Sequence, residues 1–307
     1  MSRVMVTGGA GFLGSWVVQG LTARGYDTRL VRSKDYDLRD AQACSRALAE
    51  HKPNWVIHAA VNGGGIGYMR AHAADVIHDN VLMSTHLMEA CRRHDVQRFV
   101  GVSSVCAYPR IVPIPMREPD LFQGYPEPSN AGYGLSKRLM MEHGRALHEQ
   151  YGMRCVFPMP TNLYGPGDDF DPRSSHVVPA LIRRCLEAVE SGAETITAWG
   201  TGTATRELLY VEDCAQAIIA MAEQWESPEP VNIGNGEEFT VKRLVHTIAE
   251  HCGFQGKILW DSSKPDGQPR KCLDTSRAQE GLGWTAQVDL HQGLKRTISW
   301  YREHRET

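Results

Sequence analysis

Three things are scarce in this sequence, and each scarcity removes a class of function. Its eight cysteines are scattered, with no C-x-x-C pair. That leaves no disulfide framework to expect, only reduced thiols, most of them small buried hydrophobes. The thirteen histidines form no H-x-x-x-H pair and do not alternate with cysteine, so no dedicated metal site is expected. Apolar runs such as Trp55 to Ile57 fall far short of the about 20 residues a membrane span requires. Net charge is −3, from 33 basic and 36 acidic residues, with no basic arm, which argues against a nucleic-acid partner. Met1-Ser2-Arg3 leads straight into Val4-Met5-Val6 without an export leader. A cytoplasmic protein is the expectation. With 307 residues, 42% hydrophobic and 22% charged, the chain can bury about three quarters of its unfolded surface and needs no staples.

What the chain does contain is alternation. Strand-like runs at Arg3–Thr7, Thr28–Arg32, Trp55–Ala59, Arg98–Ser103 and Arg154–Met159 are separated by helical patterns at Ser15–Arg24, Ala41–His51, Val81–His94 and Leu135–Tyr151. Such stacked βαβ units build a doubly wound parallel sheet, an α/β fold of Rossmann type. The apolar runs alternate little, as strands covered on both faces do. From Asn162 onward Gly, Pro, Asp and Ser gather in a loop at residues 165–172 that leaves the sheet. A helix at Val177–Ser191, a strand at Thr195–Trp199, a strand–helix unit at Arg206–Gln224 and a mixed tail follow. The expected division is a dinucleotide-binding domain over 1–165, with 204–230 returning to it. A smaller C-terminal α/β substrate lobe takes 166–203 and 231–307.

The first strand runs into Thr7-Gly8-Gly9-Ala10-Gly11-Phe12-Leu13-Gly14. Glycines at this strand–turn–helix position let the backbone approach a pyrophosphate, and the helix N-terminus then offers free N–H groups and positive dipole. The residue type ending the second strand selects between NAD and NADP, because an acid there holds a ribose hydroxyl and a base suits a 2′-phosphate. Here Arg32-Ser33-Lys34 stands in that place. NADP(H) is the expected cofactor, although the same triplet also reads as a solvated turn.

Tyr133-Gly134-Leu135-Ser136-Lys137 puts a phenol and an ammonium on one helix face. A nearby ammonium is expected to lower the tyrosine pKa toward a range useful for proton transfer. Ser103-Ser104 ends the fourth strand, at the sheet edge where open α/β folds place their sites.

With these residues in hand, the chain resembles an extended short-chain dehydrogenase/reductase. Thr7–Gly14, His58-Ala59-Ala60, Asn80, Ser104 and Tyr133-x-x-x-Lys137 stand where that superfamily keeps its motifs. Within it the chain is similar to the GDP-L-fucose synthase family. The matching segments are Pro160–Pro166, Ser174–Leu181, Trp199–Gly202, Arg206–Asp213 and Lys264–Lys271. The resemblance implies a GDP-sugar substrate, NADP(H) and a homodimer built on the helix of Tyr133 and its neighbour. It implies catalytic roles for Ser104, Cys106, Tyr133, Lys137 and His176, with the cysteine and histidine exchanging protons at C3 and C5 of a 4-keto sugar. Gly8, Gly11, Phe12, Leu13, Gly14, Arg32, Asn80, Lys137, Pro160, Asn162, Leu163 and His176 would face the dinucleotide. Arg184, Trp199, Arg206 and Lys271 would face the GDP-sugar.

One departure from the family is visible. Its Ser-Ser-Cys run is here Ser103-Ser104-Val105-Cys106, and only counting back from Tyr108 keeps both functional groups in register. The loop Val61–Gly67 is glycine-rich like the family's but not identical. An epimerase or a 4-ketoreductase acting on another nucleotide-deoxysugar is the alternative. A non-catalytic NADP(H)-binding interaction protein is a further one.

Overall fold

The computed structural model describes residues 2–264 and 266–305. Pro265 of the Lys264–Lys271 segment, Met1 and the last two residues of the tail lie outside them. The chain opens with β1 (Arg3–Thr7), α1 (Phe12–Ala23), β2 (Asp27–Val31), α2 (Ala41–His51) and β3 (Trp55–His58). Next come α3 (Ile66–Ala71), α4 (Ala73–Arg93), β4 (Arg98–Gly101), α5 (Ala131–Tyr151) and β5 (Cys155–Val156). These strands form a parallel sheet in the order β2-β1-β3-β4-β5. The order reverses between β1 and β3, and it is at such a switch point that doubly wound sheets open a crevice.

The expected strand Arg154–Met159 is broken at Phe157. Its second part, β6 (Pro158–Pro160), accepts from the Ser103 N–H just past β4 through Pro158 O (2.8 Å) on one side and pairs in parallel with β11 (Val231–Ile233) on the other. β7 (Asn162–Tyr164) follows at once and pairs with β10 (Leu208–Tyr210). The helix expected from Val81 starts eight residues earlier, at Ala73. Its first turns carry His72, Asp75, His78 and Asp79, polar positions that hide the helical period in the sequence.

Apolar side chains pack on both faces of the sheet. Met5, Val56, Phe99 and Cys155 meet α2, α4 and α5 on one side. Val4, Val6, Ile57 and Val100 meet α1 and α7 (Val211–Gln224) on the other. A third cluster joins Tyr164 and Tyr210 to α6 (Val177–Ser191), α8 (Val241–Cys252) and α10 (Leu290–His304). Around it lie β8 (Thr195–Trp199), paired in parallel with β13 (Lys257–Asp261), and β9 (Thr205–Arg206), antiparallel to β12 (Phe239–Thr240). Within the tail, β11 pairs with the sheet strand β6, and α9 (Ser276–Leu282) packs on α7. No helix among the described residues is long and apolar enough to cross a membrane.

One buried charge ties the sheet to its covering helix. The Arg98 side chain, at the start of β4, donates to the carbonyls of Ala222 (2.6 Å) and Trp225 (3.1 Å) at the end of α7 and pairs with Glu226. It thereby satisfies orphan last-turn carbonyls in an apolar setting. Arg98→Met leaves them buried and unpaired, at a cost of roughly 1–3 kcal/mol. The variant is expected to melt roughly 2–8 °C lower by circular dichroism, whereas Arg93→Met on the exposed face of α4 leaves the transition in place.

Candidate active site

The carboxyl ends of β1, β3 and β4 face one continuous cleft of ≈ 1670 Å³, walled on its far side by the third cluster. That is larger than a typical drug-sized pocket of about 300–1,000 Å³ and has room for two ligands. At the switch point Thr7 Oγ1 and His58 Nδ1 lie 2.8 Å apart and join the ends of β1 and β3. Burial, with the Lys137 ammonium nearby, lowers the His58 pKa to about 3, so this imidazole is neutral.

The glycine turn is shaped by contact. Gly8 has φ +71, and a Cβ there would lie 2.6 Å from Ala60 N; a Cβ on Gly14 would lie 2.0 Å from Gly8 O. Gly11 is different, since it is exposed to the cleft and has only Gly8 O near it, at 3.3 Å. The crowding at Gly8 and Gly14 brings α1 close under the turn, and Gly11 leaves open the approach to its N-terminus. No acid occupies the first turn of α1 and no side chain caps it, so the end of the helix favours an anion. Arg32, Ser33 and Lys34 line the same cleft just past β2. The acids that line the cleft beside them, Asp37 and Asp79, are held by Arg39. A cradle with this donor set fits a dinucleotide diphosphate with a 2′-phosphate. Pro160, Asn162 and Leu163 line it further on.

Asn80 does not line the cleft. It is buried in α4, donates to the carbonyls of Asn62 and Val76 (both 2.7 Å) and accepts from the Asn62 N–H (3.0 Å). Its amide pins the glycine-rich loop from behind instead of facing the dinucleotide. That loop meets the His176 segment through Gly65 N–H on Ser174 O, 2.8 Å.

The catalytic candidates converge. Lys137 is buried and donates to Val102 O at 2.8 Å, with its Nζ 5.6 Å from the centroid of the Tyr133 ring. Desolvation lowers its pKa to about 8. The expectation for Tyr133 is corrected here. Desolvation, reinforced by Cys106, pushes the phenol pKa well above its usual value, and the hydrogen bond with Ser104 offsets only part of this. Taking the phenol out of water outweighs an ammonium this far away, so Tyr133 is held as a neutral O–H, a proton donor. Ser104 Oγ accepts from the Cys106 N–H at 3.2 Å.

Of the eight cysteines Cys106 alone is not buried. Asn130 Nδ2 donates to its sulfur at 3.2 Å, and Lys271 Nζ lies 3.9 Å from it. Asn130, which sequence reasoning missed, is the N-cap of α5 and has no side-chain bond to its own helix. Only its place three residues before Tyr133 could have flagged it. His176 caps α6 in the same cleft, wetted but ringed by protein, and desolvation lowers its pKa while Asp169 partly offsets this.

The four expected substrate contacts all line the cleft. Trp199 is 63% exposed, an open indole face with Lys264 Nζ 5.6 Å from its ring. Arg184 donates to Thr197 O. Arg206 points much of its guanidinium at protein, donating to Asp266 O (2.8 Å) and Gln268 O (2.7 Å).

Asp168 also escaped the sequence reading. It lines the cleft at 7% exposure, with Oδ2 unpartnered among the described residues. Desolvation raises its pKa to about 7. Between about pH 4 and 7 the folded protein keeps a proton that the unfolded chain has lost, so this group's contribution to stability declines as pH rises through that window. Asp168→Asn removes the slope. Its melting temperature relative to wild type is expected to rise by roughly 5 °C between pH 5 and pH 8; parallel melting curves would contradict this.

Comparisons with known proteins agree with this geometry. Residues 4–234 match the NAD dependent epimerase/dehydratase family. The chain is 40% identical to a probable GDP-L-fucose synthase 1 of Oryza sativa subsp. japonica, covering 98% of this chain and 92% of that one. It is 37% identical to the GDP-L-fucose synthase of Escherichia coli (strain K12), over 99% and 98% of the two chains. Among solved structures, a GDP-L-fucose synthetase from Naegleria fowleri bound to NADP superposes with a TM-score of 0.91 at 29% identity, over 100% and 95%.

Proposed function

The chain belongs to the NAD dependent epimerase/dehydratase family, and on that premise we propose that it converts GDP-4-keto-6-deoxy-D-mannose to GDP-L-fucose. The reaction is a 3,5-epimerisation followed by reduction at C4. The observation that carries the reading is the meeting of two sets of groups in one cleft. A cysteine with two nitrogen donors at its sulfur lies beside a Tyr–Lys–Ser set. Relatives at 37% to 40% identity over nearly the whole chain bear the same activity in their names.

The mechanism follows from the chemistry of a 4-keto sugar. Protons on C3 and C5 are acidified by the C4 ketone, and inversion needs one group to remove each proton and another to return one on the opposite face. Cys106 and His176 fill these two roles. Asn130 and Lys271 hold the sulfur, and the lowered pKa of His176 leaves its imidazole neutral and able to take a proton at neutral pH. Ser104 and Tyr133 hydrogen-bond the C4 oxygen and stabilise the enolate. NADPH, held along Gly8–Gly14 and Arg32–Lys34, supplies hydride to C4 when bound. Tyr133, protonated at neutral pH, then gives its proton to the C4 alkoxide, and the nearby Lys137 ammonium balances the charge left on the phenolate.

Arg184, Arg206 and Lys271 suit the diphosphate, and Trp199 offers a stacking face for the base or sugar. Residues 166–203 and most of the tail act as the substrate lobe. We place a homodimer on the outward faces of α4 and α5, where Leu139 is 45% exposed, and the site of action in the cytoplasm.

The test mixes the protein with NADPH and GDP-4-keto-6-deoxy-D-mannose in D₂O, following absorbance and product NMR. Wild type is expected to consume NADPH and form GDP-L-fucose. Cys106→Ser is expected to lose deuterium incorporation at C3 and C5 by roughly 10²–10⁴-fold. Tyr133→Phe loses NADPH oxidation by a similar factor while retaining more of the exchange. Exchange without NADPH consumption by wild type would leave an epimerase alone, and the absence of both signals would overturn the GDP-sugar reading.

A further inference from the structure

One buried carboxylate near the site has no part in the mechanism above. Glu207, the residue after Arg206, is 0% exposed and has no cationic partner among the described residues. Backbone N–H groups and the Thr161 hydroxyl hold it instead. Oε1 accepts from the Gly236 N–H at 2.8 Å, and Oε2 accepts from the Leu273 N–H at 2.8 Å. Its own N–H donates to Lys271 O at 3.0 Å. Its carbonyl accepts from Asn162 Nδ2 at 3.2 Å and Thr161 Oγ1 at 3.4 Å.

Lys271 therefore stands between two bonds to one residue, its own carbonyl and the N–H two positions on. The opposite edge of this segment is bonded to Met116, whose N–H donates to Cys272 O and whose carbonyl accepts from the Asp274 N–H. The side chain rising from the clamped segment is the one whose Nζ lies 3.9 Å from Cys106 Sγ. Backbone N–H groups on both sides require an acceptor at each oxygen, which a carboxylate provides and an amide does not. Burying such a group without a cation is costly; here the cost raises its pKa to about 7 and the backbone N–H groups offset part of it.

We propose that Glu207 is a positioning residue whose carboxylate, holding the Leu273 N–H, fixes the main chain just past Lys271 and so keeps the ammonium at the Cys106 sulfur. Its importance for epimerisation rests on the reading of Cys106 given above, but the clamp itself can be tested without any sugar. The reactivity of a thiol depends on the cations beside it, so the probe is iodoacetamide at pH 8, where Glu207 is mostly a carboxylate. Modification of Cys106 is quantified by peptide mass spectrometry in wild type, Glu207→Gln, Lys271→Met and the double variant. Circular dichroism and NADPH binding establish that each is folded.

Losing the ammonium from the sulfur is expected to slow alkylation roughly tenfold in either single variant. In the double variant the rate should stay within about twofold of Lys271→Met alone, because both changes remove the same interaction. A folded Glu207→Gln that alkylates at the wild-type rate overturns the proposal, and so do single effects that multiply in the double variant. Glu207→Asp retains the charge but withdraws it by one methylene, and it is read in the same way should the glutamine variant not fold; an intermediate rate supports the clamp and a wild-type rate opposes it. The epimerisation reading is tested separately, by deuterium exchange at C3 and C5. Wild type that exchanges deuterium while Glu207→Gln exchanges it more slowly at saturating sugar links the clamp to the chemistry. Wild type that alkylates as expected but exchanges none removes the link to epimerisation and leaves the clamp supported.

Discussion

The site depends on how α5 holds the segment that follows β4. Lys137 donates to Val102 O at 2.8 Å, and the next residue, Arg138, donates to Ala107 O at 2.6 Å and to Gly124 O at 2.7 Å. Two adjacent cations on one helix thus suspend residues 102–107 between them, and that interval contains Ser104 and Cys106. The helix lies so close that a Cβ on Gly134 would be 2.4 Å from Cys106 O. Tyr133, one residue before, is carried into register with the serine by the same contact. Both carbonyls lie beyond the last ladder residue of β4, where a chain leaving a sheet has lost its regular partners. The cations satisfy these groups and, in doing so, set the geometry of the segment that carries Ser104 and Cys106.

This arrangement explains why the serine and cysteine can be offset along the chain. A segment suspended at 102 and 107 can take up a turn between those points, and Val105–Ala107 does form one, capped by Ser104. Val105, between the serine and the cysteine, is itself buried. Ser104 and Cys106 therefore face the cleft together, while the valine between them enters the core below α5. Tyr108, from which the register is counted, is fixed independently, its phenol bonded to Asn232 at 2.9 Å inside the core.

Much of the fold was legible because its signals are local and strong. The apolar runs of β1, β3 and β4, the glycine turn and the Tyr133–Lys137 spacing each follow from a period or a steric need within a few residues. What was not legible depends on contacts between distant segments. Asn80 has the residue type and helical position of a ligand contact, yet its amide is used up on the loop at Asn62. Arg206 carries a phosphate-binding group, and only the fold shows that carbonyls of residues 266 and 268 take several of its hydrogens. The tyrosine pKa went the other way from expectation for a similar reason. Sequence spacing gives the ammonium, but desolvation comes from the assembled walls of the cleft. Asp168 had no readable signal, since an Asp in a polar loop is ordinary in sequence, and Asn130 had only its place three residues before Tyr133.

The two groups assigned to proton exchange at the sugar are carried by different cores. Cys106 hangs from the sheet through α5, whereas His176 begins α6, whose apolar face belongs to the cluster around Tyr164 and Tyr210. Their separation is therefore set by the junction of sheet and lobe, not by any local motif. That junction is bridged in several places. Trp16 of α1 donates to Pro166 O at 3.0 Å, Gly65 bonds Ser174, and Glu207 links Asn162 to the segment of Lys271. Each bridge involves main-chain atoms on the lobe side, so it fixes the path of the chain and leaves the cleft-facing side chains free for ligand. A fold that must hold an acid–base pair across two cores needs such backbone bridges, because packing alone fixes each core internally and says little about the distance between them.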